Sequence, residues 1–251
     1  MLEVVILSAI QGITEFLPIS SSSHLILISI FLNFDFENLT LDISLHIGSL
    51  LAIIFYFKKE IFNFAKNKKL FFLIALGSIP TIIFGFIVVK NNFIDILRNI
   101  QIIGWATLVL GMILYLSDLK RERKKIDKLS LSSALFIGCF QILSLIPGVS
   151  RSGITITAAR FLEFERTEAA KISFLLSIPT LIAVSFYGIY GLIMNDSLII
   201  TIQNYSGMIL SFLFSLITIK YFISFLKKFS LLFFVSYRII LGLVILIYVY
   251  G

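Results

Sequence analysis

Two short stretches of this 251-residue chain place reactive side chains inside strongly apolar sequence. The first holds Gln11, Thr14, Glu15, Ser20, Ser21, Ser22, Ser23 and His24. Gln11 and Glu15 stand four apart and so share one helix face. Glu15 precedes Phe16 and Leu17, and a carboxylate in such surroundings requires a cation, a metal or a proton. The bland alternative is a protonated glutamate that only packs. Ser20 to Ser23 follow Pro18 and Ile19 and read as the start of a helix. Serines are favoured N-caps, but four in a row exceed one cap. A helix N-terminus also offers free N–H groups and the positive end of its dipole to an anion, phosphate above all. His24 lies three residues after Ser21 and four after Ser20, on their side of the helix. A Ser–His pair is the minimum for an activated nucleophile; a helical histidine is also often just a hydrogen-bonded packing residue.

The second stretch is Ser150-Arg151-Ser152-Gly153, again at a helix start. Arg151 is flanked by Val149 and Ile154, too far from either end of its apolar run to be a simple anchor. A guanidinium in the middle of a membrane needs anionic company, and bidentate pairing with phosphate is its favoured use. A purely structural ion pair with Glu15 is the alternative. Together these groups suit a phosphorylated ligand whose hydrocarbon part remains in lipid.

The elements that carry these residues belong to a membrane protein. The chain is 59% hydrophobic and only 14% charged, against about 45–50% and about 25% in soluble domains. One water-facing core of this size cannot hide such a surplus. Five or six segments are long and apolar enough to cross a bilayer: 43–57 (short), 70–89, 100–116, 172–194, 207–226 and 231–250. Two regions do not qualify. Residues 2–17 lead through Pro18-Ile19-Ser20-Ser21-Ser22-Ser23 into 24–32, and 130–146 lead through Pro147-Gly148-Val149-Ser150-Arg151-Ser152-Gly153 into 154–162. The run 24–32 spans only about 15 Å as a helix, half a membrane. Helix, break and half-helix predict a re-entrant hairpin, tolerated at depth only where protein buries the broken backbone.

Gln11 stands seven residues before Pro18 and Gln141 six before Pro147, so the hairpins echo each other. Each half then holds one hairpin and three spans. An odd number of crossings predicts inverted-topology repeats with a site at the midplane. The expected organisation is a single membrane domain, 1–251: one repeat over about 1–118, a basic loop over about 118–128 and a second repeat over about 129–251. A further echo, Ser78-Ile79-Pro80-Thr81 and Ser177-Ile178-Pro179-Thr180, falls on non-equivalent spans and carries no weight as a repeat.

Charge sets the orientation. Residues 58–69 carry five Lys or Arg and 118–128 carry six, whereas 33–42 carry only acids (Asp35, Glu37, Asp42). With Arg160, Arg166 and Lys171, the basic loops are expected in the cytoplasm. The first hairpin, the acidic segment and the C-terminus then face outward. Lys220 and Lys227 read as snorkelling residues at span ends. The net charge of +7 belongs to this topology, and no nucleic-acid partner is expected. The single cysteine, Cys139, excludes a disulfide scaffold and is expected to be a small buried residue. Residues 1–7 have no basic stretch and no cleavage site, so the first helix is expected to belong to the mature protein.

Gln11-Gly12-Ile13-Thr14-Glu15-Phe16-Leu17-Pro18-Ile19-Ser20-Ser21-Ser22-Ser23-His24 and Pro147-Gly148-Val149-Ser150-Arg151-Ser152-Gly153 resemble the two signature motifs of the BacA-type undecaprenyl-pyrophosphate phosphatase family, linked to bacitracin resistance. The likeness extends over essentially the whole chain in length, span order and central basic loop. It implies an all-α polytopic enzyme of the bacterial inner membrane, its site facing outward. The implied reaction converts undecaprenyl diphosphate to the monophosphate and inorganic phosphate, recycling the lipid carrier of cell-wall synthesis. It also implies dependence on a divalent cation, Mg²⁺ or Ca²⁺. Membrane lipids and a polyprenyl diphosphate are the expected partners, and a homo-oligomer is compatible with the sequence.

By the same resemblance, Glu15 matches the metal or proton-transfer position, Ser21 the nucleophile, His24 the adjacent catalytic histidine and Arg151 the phosphate-binding arginine. Gln11, Ser20, Ser22, Ser150 and Ser152 surround the substrate. Many members have Glu where this chain has Gln11; a neutral amide supplies no second carboxylate, so any metal rests on Glu15 and the substrate's own oxygens. His46 either lines the site or packs near the interface. Two routes remain open: attack by Ser21 with His24 as base, or direct attack by water with His24 or Glu15 as base. The rival class is a secondary transporter or lipid flippase, whose architecture also uses broken helices in inverted repeats. A transporter needs coupling-ion carboxylates, and Glu15 is the only acid near the expected midplane.

Overall fold

A computed structural model describes residues 1–32, 39–62, 68–91, 93, 97, 99–195 and 199–251. Asp35, Glu37 and Lys66 lie outside the described residues. The chain folds into α1 (Leu2–Thr14), α2 (Ser21–Leu32), α3 (Leu39–Tyr56), a short α4 (Lys58–Phe62), α5 (Lys68–Lys90) and α6 (Ile100–Asp118). The second half forms α7 (Leu131–Ile142), α8 (Arg151–Phe161), α9 (Arg166–Met194), α10 (Ile202–Leu226) and α11 (Leu232–Tyr250). Among the described residues α3, α5, α6, α9, α10 and α11 are long and apolar enough to span a bilayer. This is an all-α polytopic membrane protein.

The helices pack by two means suited to lipid, where hydrophobicity gives neighbouring helices little reason to associate. The first is close approach at small residues. A Cβ on Gly138 would lie 1.9 Å from the Gly77 carbonyl oxygen, so α7 and α5 cross almost backbone on backbone. A Cβ on Gly12 would lie 2.6 Å from Phe214 Cβ, where α1 crosses α10. The first helix of each broken region thus packs on a long helix of the other half. The second means is the interhelical hydroxyl bond. Ser49 and Ser211 (3.1 Å), and Ser215 and Ser49 (3.1 Å), join α3 to α10.

Cys139 departs from expectation: it is exposed. The face of α7 turned into the protein carries Ala134, Ile137, Gly138 and Gln141, which leaves Cys139 beside the packed face. Lipid accepts a small thiol as readily as a core does.

The basic end is fastened by ion pairs that join four elements. Asp118, at the end of α6, accepts from Arg166 Nε at 2.7 Å and from the Leu231 backbone N–H at 3.0 Å. Arg160, fully buried, donates to the carbonyls of Phe164, Asp118 and Lys120. Lys171 pairs with Glu60 at 3.3 Å. Arg160, Arg166 and Lys171 therefore have structural partners at this end. Lys220 and Lys227 are exposed.

Candidate functional site

Both broken regions turn at a serine with a positive φ, Ser20 at 74° and Ser150 at 67°. This is a sparsely populated conformation for a residue with a Cβ. In each case a new helix starts at the next residue, Ser21 or Arg151. Gly148, at φ 97°, takes the other unusual turn without steric cost. Ser150 caps α8, its Oγ accepting from the Gly153 N–H at 3.1 Å. The hydroxyl of Ser20 lies 3.0 Å from that of Ser23 and 3.3 Å from that of Ser22.

The two breaks are stitched together. Ser152 Oγ donates to the Leu17 carbonyl at 2.7 Å, and Ser150 Oγ reaches the same oxygen at 3.5 Å. Arg238, from α11, completes the joint. Its Nη1 donates to the carbonyls of Pro18 (3.1 Å) and Val149 (3.0 Å), its Nη2 to Gly148 (2.9 Å) and its Nε to Thr107 (3.3 Å). Pro18, Gly148 and Val149 lie in the two breaks, where carbonyls lose their helical partners, and Gly148 also accepts from Thr107 Oγ1 at 3.4 Å. In a membrane interior an unpaired carbonyl would cost several kcal/mol. Among the described residues no carboxylate pairs with Arg238, which is buried.

At this joint Arg151 Nη2 forms an ion pair with Glu15 Oε1, and Arg151 Nη1 approaches Thr180 Oγ1 at 3.5 Å. The other carboxylate oxygen, Glu15 Oε2, accepts from Ser21 Oγ at 2.7 Å and from Gln11 Nε2 at 3.1 Å. Gln11 Nε2 also lies 3.0 Å from His46 Nδ1, and His46 Nε2 stands 3.8 Å from Asp42. So Glu15, Ser21, Arg151, Gln11 and His46 form one connected group. Ser150 and Ser152 stand behind it as backbone partners, and Ser22 is exposed beside it. His24 is bonded elsewhere. Its Nδ1 is 2.6 Å from the Ser20 carbonyl and its Nε2 is 2.6 Å from the Tyr237 hydroxyl.

Two participants escaped the sequence reading, Tyr237 and Arg238. Arg238 carried a signal: it is the only ionisable cation or acid within the apolar helix Leu232–Tyr250, the same anomaly that marked Arg151. Tyr237 carried none, because tyrosines are common in membrane helices and its partner is 213 positions away.

Chemically, two helix N-termini, a guanidinium, a carboxylate and a hydroxyl converge where broken backbone is buried in protein. That combination has the chemistry that suits a phosphorylated ligand. Among the described residues no three His, Cys, Asp or Glu side chains cluster to hold a metal. The Oε1 of Gln11, however, is buried without a hydrogen-bond partner, one turn from Glu15. It and a Glu15 oxygen are hard oxygen ligands of the kind Mg²⁺ and Ca²⁺ take.

The family model for bacitracin resistance protein BacA matches residues 4–244, and the chain belongs to that family. A protein from Pelagibacter ubique (strain HTCC1062) named undecaprenyl-diphosphatase is 46% identical over 257 residues, covering 100% of this chain and 98% of its own length. One of the same name from Saccharophagus degradans is 41% identical over 256 residues, with 96% and 95% covered. Another from Jannaschia sp. is 38% identical over 260 residues, with 98% and 97% covered.

Proposed function

We propose that this chain hydrolyses undecaprenyl diphosphate to undecaprenyl phosphate and inorganic phosphate, recycling the lipid carrier of cell-wall synthesis. The observation that carries the reading is the Glu15–Arg151 ion pair, with Ser21 on the same carboxylate, at the joint of two helix N-termini. Membership of the BacA family, and similarity along the whole chain to proteins named undecaprenyl-diphosphatase, supports it.

Phosphoryl transfer needs positioning and charge stabilisation more than covalent chemistry from the protein. The incoming diphosphate competes with Glu15 for Arg151, because a guanidinium pairs with either oxyanion in the same forked geometry. Once Arg151 turns to phosphate, Glu15 is left with Ser21 and Gln11 as partners. Its carboxylate is then the nearest acceptor for the Ser21 proton, at 2.7 Å between heavy atoms. Ser21 Oγ attacks the terminal phosphorus, the bond to the bridging oxygen breaks, and undecaprenyl phosphate leaves. Water then releases phosphate from the serine. Attack by water held on Glu15 gives the same products without the serine intermediate.

A Mg²⁺ or Ca²⁺ would rest on Glu15 and the unpartnered Gln11 oxygen, neutralising phosphate charge when bound. The two halves read as inverted repeats in the inner membrane with the site open to the outer face. The pairing of α1 with α10 and of α7 with α5, and the basic residues at the opposite end from α1, support that reading.

The deciding experiment uses purified protein in detergent, where no gradient exists, and a prenyl diphosphate. Phosphate release that is lost in Glu15→Gln is the expected result. A transporter or flippase would release none.

A further inference from the structure

We propose that Tyr237 is a positioning residue for His24, holding in place the basic Nε2 that the Ser20 carbonyl selects. The inference rests on the phosphatase reading for its kinetic arm alone.

A carbonyl oxygen only accepts hydrogen bonds. With His24 Nδ1 2.6 Å from the Ser20 carbonyl, Nδ1 must carry the proton. The neutral imidazole then has its lone pair on Nε2. That nitrogen lies 2.6 Å from the Tyr237 hydroxyl, which donates to it. The two rings are nearly parallel, 11° apart in plane, with centroids 5.8 Å apart. The basic nitrogen of His24 is therefore held on a phenol from α11, and Ser21 is held on Glu15.

Tyr237 is suited to this role in both protonation states of the histidine. Its hydroxyl donates to the neutral ring and accepts from the imidazolium. Its own position is set by the next residue: Arg238 ties α11 to the carbonyls of Pro18, Gly148 and Val149 at the two breaks. Among the described residues, the charged and titratable groups around His24 are Arg238 and Tyr237 from α11, with Glu15, Arg151 and His46 in the adjoining group. Tyr237 is 38% exposed, so its hydroxyl could be dropped without opening a core cavity.

The test is a double-mutant cycle. Tyr237→Phe keeps the ring and removes only the hydroxyl. If it acts through His24, kcat falls about tenfold, the scale of one orienting hydrogen bond, with KM and the melting temperature near wild type. In a His24→Gln background the same change then costs nothing further, since groups acting as a unit are not additive. Equal losses in both backgrounds, or an unchanged kcat in the wild-type background, overturn the proposal.

A second arm needs no turnover. The chain has two histidines, so ¹⁵N-histidine spectra can be assigned with His46→Gln. The expected spectrum has a protonated Nδ1 at His24 and a hydrogen-bonded Nε2 whose signal moves in Tyr237→Phe. An unmoved Nε2 signal overturns the proposal. If the wild type releases no phosphate, the phosphatase reading fails, and this arm alone decides the pairing.

Discussion

Glu15 and Arg151 are 136 positions apart in sequence and form an ion pair across the joint of two broken helical regions. Neither partner is spare. Glu15 also accepts from Ser21 and Gln11, and Arg151 also reaches Thr180. In the proposed reaction the Glu15 carboxylate holds the place on Arg151 that substrate phosphate would take.

Arg151→Lys tests whether that place is shaped for phosphate. Lysine keeps the charge but presents a point donor, not a planar fork. It cannot span Glu15 and Thr180 as the guanidinium does. The variant is expected to lose about 10² or more in kcat/KM, the scale of losing one transition-state donor, while remaining folded. Turnover near wild type would sink the phosphate-clamp assignment.

Arg238 should report on stability before chemistry. Arg238→Met removes the guanidinium donors to the carbonyls of Pro18, Gly148, Val149 and Thr107, leaving Gly148 only a long bond from Thr107 Oγ1 at 3.4 Å. Each buried carbonyl left alone costs about 1–3 kcal/mol. Thermal unfolding in detergent is expected to show a large loss, with Arg238→Lys intermediate because one ammonium reaches fewer of the four oxygens. A melting temperature unchanged in Arg238→Met would mean that water or relaxation satisfies the breaks.

These residues show what the sequence made legible. The breaks at Pro18 and Pro147 and the polar groups beside them stood out, because polar residues in apolar sequence are costly and the eye is drawn to them. The pairing of helices did not stand out. When lipid is the solvent, a face toward lipid and a face toward protein are equally apolar, so no periodicity marks the buried side. Cys139 illustrates this: hydropathy placed it inside, and it is exposed. The partners of Ser21 and His24 were out of reach for a related reason. Helical spacing allows Ser21 and His24 to approach one another, but which bond forms depends on Glu15 from α1 and Tyr237 from α11. The echo around Pro80 and Pro179 gained meaning only in space: Thr81 bonds the Gly138 carbonyl at 3.2 Å, and Thr180 meets Arg151.

Gln11→Glu probes the cation. Gln11 Nε2 now donates to Glu15 at 3.1 Å, and its oxygen is unpartnered. A carboxylate at this position faces Glu15 one turn away, a repulsion that a divalent ion relieves. Activity is expected to persist at saturating Mg²⁺ or Ca²⁺, with half-maximal activity reached at a lower cation concentration than in wild type. Inactivity at every cation concentration would show that the amide donor is itself required.

The last expectation concerns which group takes the Ser21 proton. Ser21 Oγ is bonded to Glu15, whereas both ring nitrogens of His24 are bonded to Ser20 and Tyr237. If Ser21 is a nucleophile served by Glu15, those two act as one unit. Ser21→Ala and Glu15→Gln should then each lower kcat by about 10² or more, and the double variant should be little worse than the poorer single. Ser21→Ala and His24→Ala should instead combine more nearly additively, because their bonds do not meet. The opposite pattern, strong coupling to His24 and none to Glu15, would mean that substrate turns the histidine away from Tyr237 and onto the serine before attack. A third pattern is equally readable. If Ser21→Ala chiefly raises KM and leaves kcat within a few-fold of wild type, the hydroxyl only holds phosphate, and water on Glu15 is the nucleophile. Both cycles, measured at saturating cation, separate the three.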